Sequence, residues 1–239
     1  MFGVRDAPNA REPVLPIHPQ IVSSFDEGNF GVLHVERGVA QTALLQLRSG
    51  IQVQFIGDSK VLIDCLLGQA STVMPPMRRS VALAHTALQT LIQTFHIRPP
   101  GDEELGQQVP RSDNSAADAA ANWALDHGSF MRVHVQEVVC FLNELSLPEL
   151  GSIGLLFSFD GAARGNPGPS SSGVCAWWGY FDSGAFHSKG LLVQRGTRLG
   201  TSTNNTSEAH GLASALKSCL RYFYWMVEQI TEHAQHSVI

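Results

Sequence analysis

Four acidic residues stand where chain geometry suits them for chemistry. Asp160 closes the strongly apolar run Leu155-Leu-Phe-Ser-Phe159. It opens the turn Gly161-Ala-Ala-Arg-Gly165-Asn166-Pro167-Gly168-Pro169. A carboxylate at a strand end beside glycines can face a ligand while the backbone comes close to it. Glu208 stands at a predicted helix start, just after Thr203-Asn204-Asn205. Asn204 and Asn205 offer amide donors and acceptors. Asp58 follows Ile56-Gly57 at the end of another predicted strand and precedes Ser59 and a helix. Asp118 lies in the first turn of an alanine-rich helix, after Val109-Pro-Arg111-Ser-Asp-Asn114. Singly, each also fits an ordinary structural role: a β-turn, a helix N-cap, or a favourable charge near a helix N-terminus.

The combination is more specific. The string from Asp160 to Pro169, followed by Thr203-Asn-Asn-Thr-Ser-Glu208, closely resembles the opening half of a type 1 ribonuclease H domain. The match spans about residues 153–230. In that family the sheet begins with three antiparallel strands. The Asp ending the first strand and the Glu of the following helix are two of four metal-binding carboxylates. Ile56-Gly57-Asp58-Ser59 resembles the family's third motif, and Val109 to Asn122 its last, with Asp118 as the fourth acid.

The resemblance implies a ribonuclease H-like mixed five-stranded α/β sheet with helices on both faces. It implies Asp160, Glu208, Asp58 and Asp118 as catalytic, metal-binding residues for two Mg²⁺ ions, with Mn²⁺ as a substitute. Gly161, Asn166, Asn204, Asn205 and Ser59 would contact substrate. The implied reaction is hydrolysis of the RNA strand of an RNA–DNA hybrid. Two ions can activate a water and stabilise the leaving oxygen, and oxygen ligands suit Mg²⁺. Selectivity for RNA requires reading 2′-hydroxyls in the shallow minor groove, the task assigned to the asparagines.

The motifs stand in unusual order, the last two first. Glu36-Arg-Gly-Val-Ala-Gln-Thr-Ala-Leu44 also aligns with Glu208-Ala-His-Gly-Leu-Ala-Ser-Ala-Leu216. Residues 25–128 therefore read as the back half of one such domain and 153–239 as the front half of another. A leader, 1–24, and a connecting segment, 129–152, complete the chain. The halves could complete one site within a chain as a circular permutant, which is favoured. They could also do so between chains as a swapped dimer, or belong to a tandem array with no complete site. Glu36 lacks the preceding Thr-Asn-Asn and is taken as vestigial. Asp26 lies too near Glu36 to allow two strands between them. The loop before the last motif has no histidine, and His96 is the nearest upstream. The alternative reading is a non-catalytic RNA- or hybrid-binding module, or an inactive retroelement-derived tandem fragment.

The elements that must position these acids follow from periodicity. Ile51–Ile56 alternates as a half-buried strand does. Helical spacing marks Leu33–Arg48, the stretch after Ser59, Arg78–Phe95, Asn114–His127, Val133–Leu147 and Ser207–Glu228. Ile153–Phe159, Val174–Tyr180 and Phe186–Val193 read as strands between Gly/Pro/Ser turns. The 239 residues are 44% hydrophobic and 15% charged, with a formal net charge of -5, which argues against wholesale disorder. Neither half is basic, so binding to nucleic acid mainly by counterion release is not expected. Cys65, Cys140, Cys175 and Cys219 lack metal-type spacing and read as reduced thiols. His233 and His236 fall in a polar tail. No apolar run is long enough for a membrane span and no signal pattern opens the chain, so the expected location is intracellular, cytoplasm or nucleus.

Overall fold

The computed structural model describes residues 51–71, 74–145 and 153–236. The leader, the Leu33–Arg48 helix, Asp26 and Glu36 lie outside these residues. The elements run β1 (Gln52–Gly57), α1 (Lys60–Leu66), α2 (Pro75–Phe95), β2 (Gly106–Gln108), a 3₁₀ turn (Arg111–Asn114), α3 (Ser115–His127), β3 (Phe130–Val133), α4 (Val135–Leu145), β4 (Ile153–Ala163), β5 (Gly168–Asp182), β6 (Ala185–Ser202) and α5 (Asn204–His236). They build one α/β unit on a mixed sheet of order β2-β1-β4-β5-β6-β3.

Strands from both halves of the chain share this sheet. β4, β5 and β6 form an antiparallel meander. Ser183 and Gly184, both at positive φ, make the tight β5–β6 turn, the conformation a two-residue hairpin prefers. β1 lies parallel between β4 and β2. That position explains a departure from the sequence reading. β1 alternates polar and apolar, yet five of its six residues are buried, Gln54 included. A strand with parallel neighbours on each side and helices over the sheet is covered on both faces.

Two further corrections concern short strands. The sheet has six strands, not five, because the segment expected only to connect the halves contributes β3, antiparallel to β6, and then α4. Gln107 and Gln108, expected in a loop, belong to β2 beside β1. α5 runs to His236, past the expected end at Glu228.

The main core fills one face. Phe55, Phe157, Phe159, Val174 and Ala176 of the sheet meet Leu88, Leu91 and Phe95 of α2, Val138 and Phe141 of α4, and Leu212, Leu216, Cys219 and Phe223 of α5. Full burial of each large apolar side chain contributes about 1.5–3 kcal/mol. α2 begins with Pro75 and Pro76, which suit a helix's first positions, and ends at His96 in the left-handed conformation. The opposite face carries α3, whose buried stripe is almost all alanine: Ala117, Ala120, Ala121 and Ala124, with Leu125. Such small side chains let a helix axis come close to a sheet. Among the described residues no helix is long and apolar enough to cross a membrane.

Candidate active site

Two glycines decide how closely the acid-bearing helices approach Asp160. Gly161 follows Asp160 on β4. A Cβ there would collide with the backbone of Ser207 and Glu208. Gly173 pairs with Asp160 across to β5. A Cβ there would collide with the Ala117 carbonyl and the Ala121 amide of α3. The start of α5 and the first turns of α3 therefore reach backbone contact with the sheet on either side of one carboxylate. Side chains fasten them further. Asn114 Nδ2 donates to the Phe159 carbonyl at 2.9 Å, and Ser171 Oγ donates to the Ala121 carbonyl at 2.5 Å. Asn114 stands at the N-cap position of α3 but makes no side-chain cap bond and instead ties the helix to β4.

Asp160 is 3% exposed. Its Oδ1 accepts the Gly161 N–H at 2.7 Å, its Oδ2 is buried and meets no N–H or hydroxyl donor, and the Asp118 carboxyl stands within hydrogen-bond reach of it. Burial pushes its carboxyl up to about 7. The Gly161 N–H works against the rise, and the charges of Asp58 and Asp118 add to it. Glu208 is raised above the usual carboxylate range, first by burial. Ser59 and Asn204 hydrogen bonds oppose that rise, and Asp58 reinforces it. Asn204 Nδ2 donates to Glu208 Oε1 at 2.6 Å. Asp58 follows β1 directly and Asp118 sits in the first turn of α3. The four acids expected from sequence thus act electrostatically on one neighbourhood, where β1 ends beside β4.

A fifth residue joins them that motif reading had left without a role. Arg111 NH2 stands 2.6 Å from Asp118 Oδ1. Its guanidinium is raised in pKa chiefly by that hydrogen bond, then by the charges of Asp118, Asp160 and Asp58. Asn122 Nδ2 holds the other Asp118 oxygen at 3.1 Å. The available signal was the position of Arg111 one helical turn before α3, on the same side as Asp118.

The donor set is all carboxylate oxygen, which suits a hard divalent ion, and the adjoining Asp160 and Asp118 carboxyls need a proton or a cation between them. Yet among the described residues no three His, Cys, Asp or Glu side chains stand close enough to hold a single metal ion. Asp118 is engaged by Arg111 and Asn122, and Glu208 by Asn204. The residues fit a metal in kind, with their side chains drawn onto protein donors.

The expected substrate contacts divide. Ser59 and Asn204 lie against Glu208. Gly161 is buried under α5, so its contribution is the approach of Glu208 and not an open face to a ligand. Asn166 and Asn205 are exposed, in the β4–β5 turn and the first turn of α5. His96 ends α2 beside the start of β1, at the opposite end of that strand from Asp58, and takes no part in the site.

The packing also separates Glu208 from its sequence echo Glu36. In that alignment Val39 falls on Gly211 and Arg37 on Ala209. A Cβ at Gly211 would lie 2.5 Å from the Asp160 carbonyl oxygen, and Ala209 is fully buried. A helix of the Glu36 sequence could not occupy the place of α5.

Comparison with known proteins gives no match: no family model, no curated protein and no solved structure corresponds to this chain.

Proposed function

We propose that this protein is a metal-dependent endonuclease that hydrolyses the RNA strand of RNA–DNA hybrids, on a permuted ribonuclease H-like domain. One observation carries the reading. Asp58 and Asp118, from the first half of the chain, act on the buried Asp160 carboxyl of the second half, and Asp58 acts on Glu208 as well. Such a cluster is unfavourable without a cation and is the kind of group active sites maintain. The fold supports the permuted reading. Begun at β4, the chain would run through an antiparallel meander and a helix, and then reach β1 and β2 on the open side of β4. The pairing of β1 with β4 within one chain fits the permutant, which needs no second copy to complete the site.

Asp160, Glu208, Asp58 and Asp118 would hold the divalent ions, Mg²⁺ or Mn²⁺. Such ions supply a nucleophilic water near neutral pH and stabilise the leaving oxygen. The remaining work belongs to the chain. Asn204 and Ser59 orient Glu208, Gly161 N–H orients Asp160, and Asn122 orients Asp118. Exposed Asn166 and Asn205 present amides to the 2′-hydroxyls and edges of the minor groove. Arg111 neutralises Asp118 until an ion takes its place. Arg111→Gln should therefore raise Mg²⁺ affinity about fivefold by calorimetric titration. An unchanged affinity would show that the guanidinium does not compete.

The engaged carboxylates favour one other reading, a hybrid- or RNA-binding module without hydrolysis, a retroelement-derived remnant included. A labelled hybrid incubated with Mg²⁺ separates the two. Cleavage of the RNA strand that stops with EDTA, with double-stranded DNA left intact, is the expected result. Binding without cleavage selects the module. Equal cleavage of hybrid and DNA would assign a less selective nuclease.

A further inference from the structure

Among the described residues, three arginines stand around the C-terminal half of α3. Arg132 of β3 lies with its guanidinium carbon 5.6 Å from the Trp123 ring centre and 5.3 Å from that of Phe130. Arg164, in the β4–β5 turn, pairs with Asp126 and keeps a side chain 63% exposed. Arg198 of β6 is exposed and lies across from Ser171. The Ser171 hydroxyl reaches α3, so Arg198 rises on the α3 face, and its N–H donates to Ser129 Oγ at 2.9 Å. Asp126 is the acid of this group. Amid the arginines Trp123 stacks on His127, ring centres 4.6 Å apart and planes 23° from parallel, and meets Phe130 edge-on. Trp123 is 39% exposed, and His127 is exposed with its outer ring face away from the tryptophan.

Both rings share a helix with Asp118, five and nine residues further on. At 1.5 Å per residue they stand about 7 and 13 Å along its axis from the carboxylate site. They also lie about 140° and 180° around the helix from Asp118, so a strand leaving that site reaches them by crossing the outer side of α3, past Arg164 on Asp126. Bases inside a duplex are already stacked, so an aromatic face serves only unpaired ones, and guanidinium groups spaced around it suit their phosphates. We propose, resting on the nuclease reading above, that this surface is a second subsite for a single-stranded extension of the hybrid. Bases stack on the Trp123–His127 pair, and phosphates lie on Arg132, Arg164 and Arg198.

The test compares a blunt hybrid with the same hybrid carrying a six-nucleotide single-stranded overhang, bound in EDTA at fixed salt. Wild-type protein should prefer the overhang about tenfold, and an oligothymidylate should quench tryptophan emission. Trp123→Ala and Arg198→Glu should each bring the preference close to one. Trp123→Phe keeps the packing on Phe130 and should lose most of the quenching. A wild-type preference below twofold, with blunt hybrid still bound, overturns the subsite and leaves the nuclease reading standing. A preference that survives Trp123→Ala, in protein that remains folded by circular dichroism, also overturns it. Binding of neither hybrid overturns the subsite, and the Mg²⁺ cleavage assay then decides the nuclease reading by itself.

Discussion

Asp160→Asn is expected to abolish hybrid cleavage and yet yield a protein more stable than wild type at pH 8 and equal to it near pH 4. The stability gain follows from the buried carboxyl. In the folded chain its pKa is pushed up to about 7 by burial and by the charges of Asp58 and Asp118, whereas an unfolded Asp titrates near 3.9. Between these values the folded state binds more protons than the unfolded one, so its stability falls as pH rises through the window. The amide removes that titration. The shift corresponds to a few kcal/mol at most, since one pKa unit is about 1.4 kcal/mol and neighbouring acids can relax. Urea melts of both proteins at pH 4 and pH 8 measure the difference. A gap between the two that did not widen with pH would contradict the assigned cause, and cleavage by the pure variant would remove Asp160 from the chemistry.

Gly161→Ala and Gly173→Ala should be the most damaging single methyl additions near the site. Each new Cβ meets backbone and not a side chain that could swing away: Ser207 and Glu208 in one case, Ala117 and Ala121 in the other. Overpacking of this kind costs about 1–3 kcal/mol, occasionally more. The helix must also retreat, taking Glu208 or Asp118 with it. Calorimetric melting should drop for both variants, and Mg²⁺ should stabilise them less than it stabilises wild type. An alanine variant with wild-type melting and wild-type metal response would mean that the helices do not depend on these contacts for their approach.

The elements that carry the four acids were legible because short patterns mark them. Asp58 follows the apolar run of β1, Asp160 follows that of β4, which runs on to Ala163 beyond its expected end, and Glu208 and Asp118 lie near helix starts. What escaped depends on tertiary pairing. β2 is three residues of Gly and Gln with no pattern of its own, and it exists because β1 offers a parallel edge. β3 is four residues, all partly exposed, fixed by the long β6 beside it. The Ser170–Ser172 tract reads as a turn, but its hydroxyls find partners on β6, α3 and α5, which lets it extend β5. The exposed state of Asn166 and Asn205, and the hold of Arg111 on Asp118, are matters of side-chain direction that spacing does not encode.

The place of β1 also bears on how the chain is made. Gln52 pairs with Gly154 and Phe55 with Phe157, contacts about a hundred residues apart. Loop-closure entropy grows only slowly with such length, but folding rates fall as contacts become more distant in sequence. During synthesis β1 emerges early, with one side able to take β2 and the other without its β4 partner until the second half has left the ribosome. The meander, by contrast, pairs with near neighbours, whereas α5 also packs on α2 of the first half. The later-made half thus holds the short-range strand pairings, and β1 has one apolar edge uncovered until β4 is made. Segments in that condition are the ones that chaperones and aggregation compete for.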